Sequence, residues 1–322
     1  MAAASEALFP ETVDLRSLKA GALEDLLEAE IRSWRRAYCW DYRPSADLVR
    51  KFADTQSLAG VALILNRRPI GYTYYVLEDV KCLIGGLYID EPYDCPQYES
   101  LMLKASIDAG AKDPGVRRVE AQPMLLRQLT HRGTPYLDRL RLFERDFMMI
   151  ELAAAPPFPE SRRAASIRVT PWEERHAEEA SYLIAAAYQG HVDASINDQY
   201  RSPGGARRFL LNIVDYPGCG SFFPEGSFVA WNAETGRACG LVLTSRAASD
   251  TGHVSQVCVS PAVRGEGVGY ELMRRSLDEM WRDGCLRASL TVTSSNTEAI
   301  HLYNRMGVRR RSGFSAMVWV GF

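Results

Sequence analysis

The stretch His253-Val-Ser-Gln-Val-Cys-Val-Ser-Pro-Ala-Val-Arg-Gly-Glu-Gly-Val-Gly-Tyr-Glu-Leu-Met-Arg-Arg-Ser-Leu-Asp-Glu-Met280 reads as an apolar strand, a glycine-rich turn and an amphipathic helix in direct succession. Glycines at 265, 267 and 269 let the backbone turn tightly and point successive N–H groups outward. The helix N-terminus behind them adds partial positive charge, so the turn is an anion site suited to a pyrophosphate. A second match to the looser pattern, Arg201-Ser-Pro-Gly-Gly-Ala206, follows no apolar strand and is rejected on context.

Working outward, LRASLTVTS, NTEAIHLYNRMG and FSAMVWV read as a strand, a short helix from Asn296 and a final strand. Upstream, SIRVTP (166–171) is a strand, and the helical spacing that follows is bounded by Pro171 and Gly190. GARRFLLNIVDY is a second helix, and SFVAWN with ACGLVLTS forms a hairpin bent at Asn232 to Gly236. The predicted fold class is α/β (α+β): a mixed, mostly antiparallel sheet flanked by helices, with one βαβ crossover between 253–261 and 288–293.

The pattern occurs twice. Sliding the chain on itself by 169 residues sets Gly71 on Gly240, Pro92 on Pro261 and Gly115 on Gly284. The order strand, strand, loop, helix, strand agrees over the same span. Between the copies lies Ala153–Ala165, with three prolines in four residues (Pro156, Pro157, Pro159). The predicted division is a domain over 1–152, a linker over 153–165 and a domain over 166–322. A length of 322 residues suits two such cores. In the first copy Cys95, Pro96, Gln97, Tyr98, Glu99 and Ser100 face Arg264 to Gly269, so every loop glycine is gone and Glu99 places a negative charge there. This copy is expected to have lost its anion site, bracing its partner or walling a cleft with Trp34, Tyr38, Trp40 and Tyr42.

Together, VCVSPAVRGEGVGYELM and LTVTSSNTEAIHLYNRMGV resemble the acetyl-CoA-binding core of the GCN5-related N-acetyltransferases, the GNAT superfamily. Arg264, Gly267 and Gly269 match that family's phosphate loop; Asn296 and Tyr303 match its helix-opening Asn and the Tyr seven residues on. A tandem arrangement with a weakened first copy is similar to two-domain acetyltransferases of the mycothiol synthase type. The resemblance implies two GNAT-like domains, with acetyl-CoA as co-substrate and no metal. It also implies a primary amine acceptor attacked directly in a ternary complex. Main-chain groups of Val257 and Val259 would then pair with the pantetheine arm, and the amides of Arg264, Gly265, Glu266, Gly267, Val268 and Gly269 would hold the pyrophosphate. Asn296 would bond the pantetheine and Tyr303 would lie near the sulfur. A backbone N–H near Cys258 or Val259 would meet the oxyanion.

Acyl transfer to an amine also needs a proton acceptor and a proton donor. His253 stands where the family often carries a glutamate, and its imidazole is the expected base, with Ser255 holding a water. Tyr303 is the expected acid. Tyr188, His191, Asp193 and Asp198 make a polar cradle for the acceptor. Competing readings are another acyl donor, a hydroxyl or thiol acceptor, or an acyl-CoA-binding scaffold without turnover.

Composition narrows the class further. Basic and acidic side chains number 38 and 40 for a net charge of −2, which argues against nucleic acid as a partner. No apolar run approaches a membrane span, and the N-terminus lacks the basic-then-apolar pattern of a secretion signal. Seven cysteines without a CxxC pair suit reduced thiols, so a cytoplasmic protein is expected, acting on a small-molecule or peptide amine.

Overall fold

The computed structural model describes residues 9–128, 131–155, 157–160, 167–216 and 218–322. Of the expected linker, Pro156 and 161–165 lie outside the described residues, as does Ser166 of the expected strand. In chain order the first half comprises β1 (Glu11–Asp14), α1 (Ala20–Tyr38), α2 (Arg43–Asp54), β2 (Gly60–Leu65), β3 (Arg68–Glu78), β4 (Lys81–Ile89), α3 (Pro96–Gly110), β5 (Arg118–Ala121) and β6 (Leu140–Glu151). The second half begins with β7 (Ile167–Pro171), α4 (Ala177–Ala187), α5 (Asp193–Ile196), α6 (Pro203–Asp215), β8 (Ser221–Phe222), β9 (Phe228–Asn232) and β10 (Ala238–Ala248). It ends with β11 (Thr251–Val259), α7 (Val268–Arg282), β12 (Arg287–Thr293), α8 (Thr297–Arg305) and β13 (Arg309–Val320).

The chain forms two compact units, and neither coincides with a half of the sequence. One contains residues up to 37, 42–142 and 314–322; the other contains 38–41 and 143–313. In the 169-residue register β6 falls on β13, and these equivalent strands are exchanged. The end of β13 pairs antiparallel with β5 (Val318 opposite Glu120), whereas β6 pairs antiparallel with β12 (Ile150 opposite Ala288). The expected boundary at 153–165 thus differs from the observed ones at 142 and 313, because strand pairing, not proline content, decides which unit a strand joins.

In the first unit β1 to β4 form an antiparallel meander, and β5 joins β4 in parallel after the α3 crossover. Its core packs Leu103 and Ile107 of α3 against Leu63, Ile84 and Trp319. Trp34 stacks on Tyr42 with ring centroids 5.2 Å apart. At the place of the second copy's glycine loop, Glu99 is fully buried, and its carboxylate accepts the backbone N–H of Arg127 (2.9 Å) and Gln128 (3.2 Å). Burial and the adjacent Glu99 push Asp94 up to about 7.

The same unit buries Glu30, which accepts from the Tyr72 hydroxyl (2.5 Å) and Trp34 Nε1 (3.2 Å). Burial pushes this carboxyl up from an ordinary 4.5 to about 7, against the pull of those donors. A folded-state value above the unfolded one means that this contribution is complete below pH 4.5 and disappears as pH rises through 7. At 1.36 kcal/mol per unit it amounts to about 3 kcal/mol at most. Glu30→Gln should therefore flatten the pH dependence of urea unfolding across that window; an unchanged slope would show that Glu30 stays ionised in the fold.

The second unit is built on the same plan, with β9, β10 and β11 antiparallel and β12 parallel to β11 across α7. On one face α7 packs Val268, Leu272 and Leu277 against Ala230, Val242, Val254 and Leu290. On the other, α4 and α6 pack Leu183, Ile184 and Leu210 against Leu241, Leu243 and Cys258. Among the described residues no helix is long and apolar enough to cross a membrane.

Candidate active site

Two local irregularities open a groove in the second unit. First, Leu243 opposes Gln256 while Thr244 opposes Val254, so Ser255 is an extra residue, a β-bulge in β11. Second, β12 pairs with β11 only from Thr251 to Val254, leaving the remainder of β11 without a strand on that side among the described residues. Ser260 donates its N–H to Cys239 O (2.8 Å). Alternation along an antiparallel ladder then turns Cys258 toward β10 and directs the N–H and C=O groups of Val257 and Val259 into the gap. These are the main-chain groups expected to bond an extended ligand. The N–H of Cys258, by contrast, is spent in the ladder, which leaves that of Val259 for an oxyanion.

The gap continues into a cavity of about 810 Å³ lined by Val257, Cys258, Val259, Arg264, Gly265, Gly267, Val268, Gly269, Asn296 and Tyr303. Gly265 and Gly267 hold φ of 81° and 87°, values that a side-chain-bearing residue adopts only under strain. Gly267 caps α7, whose first-turn amides face outward, so the loop has the geometry of an N-terminal anion cradle. Arg264 has a second function, since its Nη2 donates to Ala187 O (2.7 Å) at the end of α4. Glu266 lies in the loop outside the cavity lining. Sequence reasoning missed Ala187, Tyr270, Glu298, Leu302 and Arg305, which also line it. The last three follow from the spacing of α8 once Asn296 and Tyr303 are placed on one groove wall.

Tyr303 is 6% exposed, and among the described residues its hydroxyl has no protein hydrogen-bond partner. Burial raises its phenol well above the ordinary range; the Asp193 charge adds to this and Arg145 opposes it. Asn296 caps α8, its Oδ1 accepting from Ala299 N (3.3 Å), while its Nδ2 lies 3.4 Å from His191 Nε2. Cys258 has its thiol pushed up to about 12 by burial and is no nucleophile.

His253 is placed elsewhere. The bulge at Ser255 breaks the alternation of β11: Val254, Val257 and Val259 share the α7 face, and His253 points to the opposite one. There it is 3% exposed, edge-on to Trp40 with ring centroids 4.7 Å apart, and bonded through Nδ1 to Ser289 Oγ (3.0 Å). Burial lowers it to about 3, so it is a neutral core residue outside the cavity lining. Ser255 bonds Ser245 Oγ (2.8 Å) and is not part of that lining either. His253→Ala should lower stability by about 2–4 kcal/mol, as for other buried large-to-Ala changes, without a selective loss of turnover per folded molecule. A rate loss at unchanged melting temperature would return His253 to the chemistry.

Of the expected cradle, Tyr188 and His191 line the groove and Asp193 stands behind it. Tyr188 stacks on Tyr200 (4.3 Å), and its hydroxyl accepts from Gln256 Nε2 (2.9 Å). Asp193 Oδ1 accepts from Thr293 Oγ1, and Arg145 Nη1 lies 3.7 Å from that oxygen. Asp198 lines neither this cavity nor the adjoining one. Among the described residues no cluster of His, Cys, Asp or Glu has the form of a metal site.

The second unit thus presents a parallel strand pair that splays beside a glycine-capped helix. Residues 196–308, all within the second unit, match the model of the acetyltransferase (GNAT) family. A 99-residue segment is 34% identical to the mycothiol acetyltransferase of Gordonia bronchialis, covering 30% of this chain and 32% of the relative. Over the whole chain, a GCN5-related N-acetyltransferase from Sphaerobacter thermophilus superposes with a TM-score of 0.66 at 15% identity, covering 98% of each. A tandem GNAT protein from the clavulanic acid biosynthesis pathway superposes at 0.58 with 12% identity, covering 97% of this chain and 98% of that one. The chain is a tandem GNAT-fold protein.

Proposed function

We propose that this protein transfers acetyl from acetyl-CoA to a primary amine of a small molecule, at one site in the second unit. The observation that carries the reading is the unpaired edge of β11 at Val257 and Val259, running from the glycine cradle of α7 to the partnerless Tyr303 hydroxyl. The free amides, the cavity volume and the loop without side chains fit an extended thioester with a pyrophosphate at one end. When bound, the thioester supplies the electrophilic carbonyl. Val259 N–H would meet the developing oxyanion and Tyr303 would hold the proton destined for the thiolate. In the first unit Glu99 holds the loop amides of Arg127 and Gln128 for itself, which supports a single cofactor site. The Gordonia relative is a mycothiol acetyltransferase, which favours a small-molecule acceptor over a protein lysine.

Calorimetric titration of the full chain with acetyl-CoA, followed by a thiol-release assay over a panel of amines, tests this. One site per chain and amine-dependent release of coenzyme A are expected. Two sites would overturn the account of the first unit. Binding without release across amines, alcohols and thiols would favour the scaffold reading.

A further inference from the structure

Two side chains from separate elements of the second unit meet in the groove beside β11. His191 lines it from the turn between α4 and α5, and Asn296 lines it from the start of α8. Their nitrogens Nε2 and Nδ2 lie 3.4 Å apart. What each nitrogen carries follows from the other end of its own side chain. Asn296 spends its Oδ1 on the helix cap, accepting the Ala299 N–H (3.3 Å), so the end turned to His191 is the NH₂ group. In His191 the other ring nitrogen, Nδ1, accepts the backbone N–H of Asp193 (3.2 Å). An accepting Nδ1 holds the lone pair, so the ring proton is on Nε2. The Asp193 carboxylate stays 3.8 Å from Nδ1 and takes no hydrogen bond from the ring.

Donor therefore opposes donor, and among the described residues neither N–H meets an acceptor. The pair does not close on itself; an oxygen set against both completes it. The surroundings hold the two donors in place. Tyr188 packs edge-on against the imidazole with ring centroids 5.3 Å apart, and is itself stacked on Tyr200 and bonded to Gln256. His191 N donates to Tyr188 O (3.0 Å) and Ala194 N to His191 O (3.1 Å), which fixes the backbone on both sides. Donors fixed in advance lose little freedom when a ligand arrives. The group that fits them is a carbonyl oxygen, which has two lone pairs and no proton. An ammonium or an amide N–H would add a third donor. Of the cofactor proposed above, the phosphates belong at the Gly265–Gly269 cradle, whereas the uncharged pantetheine arm carries carbonyl oxygens in its two amides and its thioester.

We propose that His191 Nε2–H and Asn296 Nδ2–H form a two-donor seat for a carbonyl oxygen of the acylated pantetheine arm. The inference rests on the acetyltransferase reading above and deepens it. His191 becomes a cofactor-binding residue, not part of a cradle for the acceptor. One substitution reverses the logic of the pair. Asn296→Asp keeps the helix cap, since Asp caps as well as Asn, but puts an acceptor oxygen where the NH₂ stood. That oxygen takes the Nε2–H for the protein itself and closes the seat.

The test is calorimetric titration of the full chain with acetyl-CoA and with S-ethyl-CoA, in which a methylene replaces the thioester carbonyl. His191→Phe keeps a ring against Tyr188 but has no N–H, and should lower acetyl-CoA affinity by about 3–10-fold, the loss of one neutral hydrogen bond. An equal loss for both ligands assigns the seat to a pantetheine amide; a loss confined to acetyl-CoA assigns it to the thioester oxygen. Asn296→Asp should lower affinity by about 10-fold or more while raising the melting temperature of the free protein by about 2–4 °C. Part of that rise is the carboxylate at the helix N-terminus, so it is compared with the same change made in His191→Phe, where the rise should be smaller. Acetyl-CoA affinity within twofold of wild type in folded His191→Phe overturns the seat while the acetyltransferase reading stands. An equal rise in melting temperature with and without the imidazole does the same. Wild-type protein that binds no acetyl-CoA removes both.

Discussion

Gly267→Glu should abolish acetyl-CoA binding, with the heat of titration falling to the level of dilution. Two effects act together at this position. The residue caps α7 with φ of 87°, a left-handed conformation that costs a side-chain-bearing residue roughly 1–2 kcal/mol. More importantly, the new carboxylate would occupy the mouth of the helix, where a pyrophosphate of like charge has to sit. Two like charges about 4 Å apart repel by about 4 kcal/mol at the dielectric of a protein surface, a factor near 10³ in affinity before the cradle's own contribution is subtracted. Gly267→Ala carries the backbone cost alone and should fall between the two. Circular dichroism and melting temperature show whether α7 survives the change. Undiminished binding to a folded Gly267→Glu protein would mean that the pyrophosphate is held elsewhere.

Tyr303→Phe has the second-largest expected effect: a fall in kcat of about 10²–10⁴-fold with acetyl-CoA affinity preserved. The substitution removes a hydroxyl that bonds no group among the described residues, so it leaves no orphaned partner there, and the ring still fills its place in the α7 core. Burial and the Asp193 charge hold this phenol above its ordinary range, so it is protonated throughout the pH range of an assay. Its loss should therefore lower the plateau of the pH–rate profile. A variant with wild-type kcat would assign thiolate protonation to solvent, and one that lost acetyl-CoA affinity would give Tyr303 a binding function.

Much of this was legible because it is local. The strand, the Arg264–Gly269 loop and α7 follow from alternation, glycine and helical spacing within some thirty residues. Asn296 and Tyr303 follow from one further turn-and-helix unit. Val257 and Val259 keep their alternation, since nothing interrupts the ladder between them and Ser260. The break at Ser255, which sends His253 to the opposite face, was not legible. A bulge is a property of two strands, and period two in one strand gives no sign that its partner has skipped a residue. The same bulge occurs in β4, where Gly85 has no partner while Tyr74 opposes Gly86 and Tyr75 opposes Ile84, so comparison of the two copies could have suggested it. Glu99 was seen as an unfavourable charge, but the amides of Arg127 and Gln128 that receive it lie nearly thirty residues away and have no pattern of their own.

The exchange of β6 and β13 bears on how such a chain could be divided or inherited. A gene fragment encoding 166–322 would leave β12 without residues 145–151 along its edge, and the complementary fragment would strip β5 of 317–320. Neither piece retains the sheet it would need as a separate polypeptide, so a ribosome releasing the first half has made something whose edge is still to be supplied. Duplication of an ancestral gene followed by strand trading would convert two independently evolving modules into one unit of selection. Each copy is then kept for the strand it donates as well as for its own site.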